Sequence, residues 1–178
     1  MKFFKKPVTA IILALMIVAG STLINVHWKF GAKCQEIQNS FYETGRIGKQ
    51  LDAIRQDAVL LSSVAKQNGI DAEDLRSAAE DLQYALSHES TDAGLLYWYY
   101  DSLRTELFST EQRLLSVTLN DADAETVRNC MDRISAASDR ISSDSYNQTV
   151  RAFLSRYDRF PTGPLAILAD VDMPEVFA

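Results

Sequence analysis

The spacing of apolar residues divides this chain into one uninterrupted apolar segment and a longer body with helical periodicity. From Val8 to Val26 no residue carries a charge. As a helix these residues would span about 28 Å, close to the thickness of the hydrocarbon core of a bilayer. The pattern therefore predicts a transmembrane helix over residues 8–26, preceded by a short basic amino terminus, residues 1–7.

The residues flanking this segment predict its orientation. Three lysines and the terminal amine precede it, whereas the basic residues that follow are diluted by glutamates. By the positive-inside rule we expect a cytoplasmic amino terminus and a body outside the cell membrane. His27 and Trp28 follow the segment, at the position of an interfacial aromatic. A cleaved signal peptide is the alternative, with Val18-Ala19-Gly20 as the small residues before the cut.

Beyond residue 27, apolar side chains recur every three or four positions, the spacing of helices that bury one face. No proline occurs between Pro7 and Pro161, so long helices are permitted. Turns are predicted at Asn68-Gly69, His88-Glu89-Ser90-Thr91 and Asn120-Asp121-Ala122-Asp123. The side chains expected on the buried faces of the four resulting helices are Ile37, Phe41, Ile47, Leu51, Ile54, Ala58, Leu61 and Ala65; Leu75, Ala78, Ala79, Leu82 and Leu86; Leu95, Leu96, Tyr99, Leu103, Leu107, Leu114 and Val117; and Val127, Met131, Ile134, Ile141, Val150, Phe153, Leu154 and Tyr157.

The predicted fold class is all-α: an amino-terminal transmembrane helix followed by an antiparallel four-helix bundle over residues 27–160. Short connections favour antiparallel neighbours, and the first and last helices are expected to be long. Asp71 is expected to cap the second helix, and Thr91 or Asp92 the third. Residues 161–178 are predicted to form a tail that folds back on the bundle or lies on the membrane surface.

Charge and cysteine content exclude several classes of protein. Residues 1–30 hold four lysines and no acid, so with a net charge of −6 the remainder of the chain carries −10. Such a body repels phosphate backbones, and nucleic acid is not an expected partner. Cys34 and Cys130 would lie far apart along an antiparallel bundle, so we predict no disulfide within one chain.

Motifs that carry chemistry are not found in the sequence. His27 and His88 are the only histidines, and neither has a carboxylate or cysteine at metal-ligand spacing. There is no nucleophile elbow, phosphate-binding loop or dinucleotide fingerprint. We therefore expect no catalytic site, no cofactor and no metal.

The densest aromatic cluster lies between Leu95 and Tyr100. Six consecutive bulky residues surround a helix, so not all of them can face one core. Tyr97, Trp98 and Tyr100 are predicted to be the side chains left outside the core. One interpretation is a wide core with singly exposed tyrosines that reach water. The other is an interaction patch for a protein partner, because Tyr and Trp are favoured interface anchors.

The carboxyl-terminal third carries the most specific pattern in the chain. Its residues Tyr146-Asn147, Val150, Phe153, Tyr157, Phe160-Pro161, Ala166, Pro174 and Phe177 resemble the carboxyl end of the LemA family. The layout is similar too, with one amino-terminal span followed by long helices. The family usually carries a basic stretch and then Asp-Leu-Ile-Pro-Asn-Leu in its first helix. Here Arg55–Leu61 is the nearest approach and has no proline, which makes the chain a divergent member.

The resemblance implies an antiparallel helical bundle at a bacterial cell envelope, with an unsettled biochemical role. The helical spacing of the signature also fits a buried face, with Asn147 as a hydrogen-bond partner of the returning tail and Phe177 as the anchor of that tail. The expected function is that of a non-enzymatic interaction or scaffold module, with the lipid bilayer and an unidentified protein as partners. The alternative is an extracytoplasmic small-ligand sensor or binding module, secreted if the amino-terminal segment is cleaved.

Overall fold

The computed structural model describes residues 7–43, 45–87, 92–157 and 162–178, and within these ranges the chain is helical, without strands. Its helices there are α1 (Pro7–Ser40), α2 (Ile47–Gln67), α3 (Glu73–Ser87), α4 (Ala93–Leu115), α5 (Asp121–Ser143), α6 (Tyr146–Tyr157) and α7 (Thr162–Leu168). The all-α class predicted from the spacing of apolar residues is confirmed.

Helix α1 joins the predicted span to the body without interruption. Its residues Ala10–Ser40 are long and apolar enough to cross a membrane, and their most apolar window has a mean hydropathy of 2.0 with none of it buried. Further along, Phe30, Cys34 and Ile37 are buried against the body. One helix therefore carries both the apolar segment and the first strip of the core.

The long first helix predicted from the sequence is in fact two helices, because residues 41–43 and 45–46 form turns and bends between α1 and α2. Gly45 lies within this turn with φ of +82°, a conformation that favours glycine. Gly48 comes next, and its N–H donates to the carbonyl oxygen of Phe41 at 2.8 Å. A Cβ added at Gly48 would lie 2.8 Å from the ring of Tyr42, so the turn packs tightly on the start of α2.

The predicted last helix is divided as well, at residues 144–145 between α5 and α6. Asp144 starts α6 by accepting a hydrogen bond from the backbone N–H of Tyr146 at 2.7 Å. Arg46 reaches across from the first turn, with Nη1 3.3 Å from the Asp144 carboxylate and 3.2 Å from Oγ of Ser145. The two interruptions therefore lie side by side, so that α1 packs on α6 and α2 packs on α5.

Helix α2 is the centre of the body and packs against α3, α4 and α5. It runs antiparallel to α5. Near one end Asn68 donates to Asp123 at 2.9 Å, and near the middle Arg133 donates to both carboxylate oxygens of Asp57. Helices α3 and α4 also pack on each other. The largest fully buried aliphatic side chains on these helices are Ile47, Leu51, Ile54, Leu75, Leu82, Leu96, Leu103 and Leu114.

Most residues predicted to be buried on the helix faces are buried or partly buried, with two exceptions on the third predicted helix. Leu95 is 41% exposed and Val117 is 38% exposed. Leu95 lies in the first turn of α4, and Val117 lies beyond its last residue. At the ends of a helix, the position of a residue around the helix axis no longer determines whether its side chain is buried. The side chain of Tyr157 lies outside the described residues.

The predicted stop at Asn68-Gly69 is confirmed. Gly69 has φ of +74°, and the N–H of Ile70 donates to the carbonyl oxygen of Ala65 at 2.9 Å. The N–H of Gly69 donates to the carbonyl oxygen of Lys66 at 3.1 Å. These two bonds form a Schellman motif, which pairs carbonyls left open at the end of α2.

Aspartate and asparagine side chains begin the next three helices. Asp71 accepts from the N–H of Glu73 at 3.2 Å, Asp92 from Leu95 at 2.7 Å, and Asn120 from Asp123 at 2.9 Å. Asp92 is therefore a cap of α4, as predicted. The predicted turn at 88–91, which includes Thr91, lies outside the described residues.

The carboxyl-terminal tail returns along α1. Helix α7 packs against α1, and just after it the carbonyl oxygen of Ala169 accepts a hydrogen bond from Nδ1 of His27 at 2.9 Å. Farther along, a carboxylate oxygen of Asp172 lies 3.5 Å from Nε2 of Gln38. The chain then reaches Phe177, which is buried. Phe160 and Pro161, which belong to the predicted signature, lie outside the described residues.

Candidate functional site at the carboxyl-terminal anchor and the surface of α4

Asn147, in the first turn of α6, holds the end of the tail by two hydrogen bonds. Its Nδ2 donates to the carbonyl oxygen of Phe177, and its Oδ1 accepts from the N–H of the same residue, both at 2.7 Å. A primary amide is suited to this contact because it carries a donor and an acceptor side by side. One side chain thus satisfies both backbone polar groups of a residue that is itself buried.

The ring of Phe177 lies among three aromatic rings from two distant parts of the chain. Its centroid is 5.6 Å from that of Phe41, 5.2 Å from that of Tyr97 and 5.9 Å from that of Tyr100. Such separations are those of favourable aromatic pairs. We call Asn147, Phe177 and these three rings the tail anchor. It joins the first turn, α4 and α6 through the last residues of the chain.

The other signature residues extend the tail anchor along α6. Tyr146, Val150 and Phe153 are buried on one face of this helix. The ring of Phe153 stacks on Phe30 of α1 at 5.2 Å, and the ring of Tyr146 meets Phe41 edge-on at 5.1 Å. Burial raises the pKa of the Tyr146 phenol to about 12. These residues therefore pack α6 on α1 rather than offer a reactive group.

The predicted interaction patch is divided by the tail. Tyr100 is buried, and its hydroxyl donates to Oγ of Ser138 at 3.2 Å, so its predicted exposure was wrong. Tyr97 is partly buried against Phe177. Trp98 alone of the three is fully on the surface, 63% exposed, with its ring 5.0 Å from that of Tyr99. The returning tail explains the difference, because it covers two of the three rings.

Helix α4 carries two further exposed apolar side chains that the sequence analysis did not single out. Phe108 is 65% exposed and Leu115 is 69% exposed. Each directly follows a residue, Leu107 or Leu114, that is buried. Adjacent residues point about 100° apart around a helix. The predicted burial of Leu107 and Leu114 therefore already indicated that the residue after each points away from the core.

An open groove of about 950 Å³ lies between α1 and the tail. Its lining includes His27, Trp28, Gln35, Gln38, Asn39 and Asp172. The surface of the groove is mostly apolar, the amide and carboxylate groups add polar atoms to it, and the indole of Trp28 lies at the end nearest the apolar segment. The groove could accept a molecule that carries a polar or cationic group.

A carboxyl pair lies where the tail passes the start of α4. Glu175 forms a hydrogen bond with Asp92, and this bond, followed by partial burial and the Asp92 charge, raises the pKa of Glu175. A raised pKa means that folding favours the protonated form. The contribution of Glu175 to stability is therefore fully present below the ordinary pKa of a glutamate and is lost as pH rises through the raised value.

The cysteine and histidine side chains that the structure describes are either buried or hydrogen-bonded to the backbone. Cys34 and Cys130 are both free and buried, and burial raises the pKa of the Cys130 thiol. Nδ1 of His27 is bonded to the backbone, and His88 lies outside the described residues. Within the part of the chain that the structure describes, no group of three or more His, Cys, Asp or Glu side chains could hold a metal ion.

Comparison with known proteins adds no relative to this picture. No family model matches the chain, and no curated protein or solved structure matches it.

Proposed function

We propose that this chain is a single-pass membrane protein that displays a helical bundle as an interaction or scaffold module at the cell envelope. In this proposal residues 8–26 span the cell membrane, the amino terminus is cytoplasmic and the bundle lies outside. The four rods of the bundle are α1 continued by α2, then α3, α4, and α5 continued by α6. The module is non-enzymatic, and its partners are the bilayer and another protein.

The observation that carries the proposal is the apolar part of α1, whose most apolar window has no buried residue. Large aliphatic side chains on this helix, such as Leu15, Met16 and Ile17, are about 60% exposed: 63%, 60% and 63%. Monomeric soluble proteins rarely expose contiguous apolar surfaces of this extent. A helix has no unpaired backbone groups along its length, so it can lie in hydrocarbon without further partners.

The tail anchor supports membership of the LemA type. Asn147 and Phe177 stand at opposite ends of the signature, and their paired hydrogen bonds provide a physical reason for keeping both. Tyr146, Val150 and Phe153, which are also signature residues on α6, are buried together. A divergent member would retain these residues because they close the bundle around the tail, while the first helix varies.

The location is tested by fractionating cells that express the full chain, with protease added from outside. Full-length protein retained in carbonate-washed membranes, and cut only within the body, is the expected result. A soluble form that begins near Ser21 would mean that the apolar segment is a cleaved signal peptide. Cleavage that requires opened cells would reverse the proposed orientation.

Trp98 is the proposed contact for the protein partner, since it is the exposed member of the predicted patch. A photoreactive amino acid at Ser102, one helical turn away, should capture a neighbour in intact cells. Trp98→Ala should abolish this crosslink without changing the melting temperature of the protein. Phe108→Ala, which removes another exposed ring from α4, should leave it intact. A crosslink that survives Trp98→Ala would exclude this surface.

A second candidate function is an extracytoplasmic small-ligand sensor, and the groove beside Trp28 favours it. Its volume of about 950 Å³ is at the upper end of the range of small-molecule sites. Thermal denaturation of the purified protein with a panel of small cationic and polar solutes tests this function. A solute-dependent rise in melting temperature that Trp28→Ala removes would favour the sensor over the scaffold.

A further inference from the structure

Helix α7 lies beside the end of the proposed membrane span. It packs against α1, and the carbonyl oxygen of the residue after it, Ala169, accepts a hydrogen bond from His27, the first residue beyond the span. Gly20, Leu23 and Val26 are partly buried on one face of the otherwise exposed apolar segment. Of these, Val26 packs against the core, so the body reaches the last residue of the span.

The outward face of α7 is apolar. Ala166 is buried, whereas Ile167 and Leu168 are 81% and 71% exposed, among the most exposed large aliphatic side chains described. The neighbouring interfacial aromatic, Trp28, is 73% exposed. Ile167 and Leu168 lie at the level where a bilayer would begin. Exposure of two adjacent aliphatic side chains to water is unfavourable there, and contact with lipid would be more favourable.

The sequence around α7 has the charge pattern of a segment that touches lipid. Residues 160–169 carry no charge, and Arg159 and Asp170 stand on either side of them. Ten uncharged residues are too few to cross a bilayer as a helix. They suffice for a shallow segment whose apolar face enters the boundary between headgroups and acyl chains.

We propose that α7 is a second membrane contact, which inserts Ile167 and Leu168 into the lipid leaflet that the span leaves at Trp28. This inference rests on the proposed function, because it requires α1 to span the bilayer. The argument for lipid as the occupant is continuity, since the exposed face of α7 adjoins the exposed apolar surface of α1. With two points of contact, the span and α7, the body would be held at a fixed tilt to the membrane instead of swivelling on one helix.

Site-directed spin labelling of the full chain in phosphatidylcholine vesicles tests this proposal. Cys34 and Cys130 are replaced by alanine, and one nitroxide is attached to a cysteine introduced by Ile167→Cys. Matched labels come from Ile17→Cys, inside the proposed span, and Thr118→Cys, between α4 and α5. All three native side chains are exposed, so folding should survive each change. Collision rates with oxygen, which concentrates in lipid, and with a water-soluble nickel chelate are compared.

The label at position 167 should show an oxygen-to-nickel accessibility ratio close to that at position 17 and well above that at position 118. A ratio at 167 like that at 118, with 17 in lipid, would overturn the membrane contact of α7 and leave the span intact. Spin–spin broadening between labels at 167, without lipid accessibility, would identify a second copy as the occupant and also overturn it. A water-accessible label at position 17 would refute the span itself.

Discussion

Replacing Asn147 by alanine should release the carboxyl-terminal tail from the body. The change removes a donor and an acceptor that bond the backbone of Phe177, both at 2.7 Å. It touches neither the ring of Phe177 nor the three aromatic rings around it. The variant thus separates the contribution of the paired hydrogen bonds from that of aromatic packing.

The magnitude follows from the number of groups left without partners. A hydrogen bond contributes about 1 kcal/mol net, and a buried polar group that loses its partner costs about 1–3 kcal/mol. Two backbone groups of one buried residue are affected, so we expect a loss of about 2–6 kcal/mol in the free energy that holds the tail. At about 1.4 kcal/mol per factor of ten, the population of the released tail should rise by a factor on the order of 30 to 20,000.

Hydrogen exchange of the full-length protein, read by mass spectrometry, measures this release. Peptides covering residues 169–178 should exchange faster in Asn147→Ala, while peptides from α2 should keep the native rate. Gln148→Ala is the matched control, because Gln148 is the next residue on the same helix and is exposed. Surface substitutions of this kind change stability by about 0.5 kcal/mol or less.

Two results would refute this reasoning. Equal tail exchange in Asn147→Ala and Gln148→Ala would show that the amide does not hold the tail. Acceleration of α2 peptides to the same extent as tail peptides would show that the tail and the core open together, so that the tail anchor is not a separate unit.

Two further changes test the electrostatics of the body. Glu175→Gln should raise the melting temperature at neutral pH, because the raised pKa of Glu175 means that folding disfavours its charged form, and should flatten the rise in melting temperature between neutral and mildly acidic pH. An unchanged pH profile would contradict the raised pKa of Glu175. Arg133→Ala should lower the melting temperature because it leaves the carboxylate of Asp57, which is buried, without its guanidinium partner. Arg128→Ala, an exposed arginine of the same helix, should have little effect, and equal losses in the two variants would count against the pair.

Which segments are helical could be predicted from the sequence because the signals are local. The apolar period, the stop at Asn68-Gly69 and the cap at Asp92 each depend on residues within one or two turns of one another. The uncharged run from Val8 to Val26 marks a candidate span by its length and composition. Such features require no knowledge of what lies opposite.

The two interruptions of the long helices were not predicted, although the apolar spacing breaks at both. Phe41 and Ile47 are six residues apart and Ile141 and Val150 are nine apart, whereas one face of a helix repeats every three or four. The first turn is maintained by contacts across the fold, with Arg46 bonded to residues almost a hundred positions later. The position of a side chain around a helix depends on nearby residues. The residues that a turn contacts can lie far away in the sequence.

Which side chains of the aromatic cluster on α4 are buried was likewise decided by the tertiary structure. The sequence determined that six bulky residues in a row could not all face one core, and Trp98 is indeed exposed. Which tyrosines are covered depends on Phe177, which arrives from the far end of the chain and packs against Tyr97 and Tyr100. The spacing of residues along a helix predicts the direction of each side chain. Burial depends on which other segment occupies that direction, and here that segment is the returning tail.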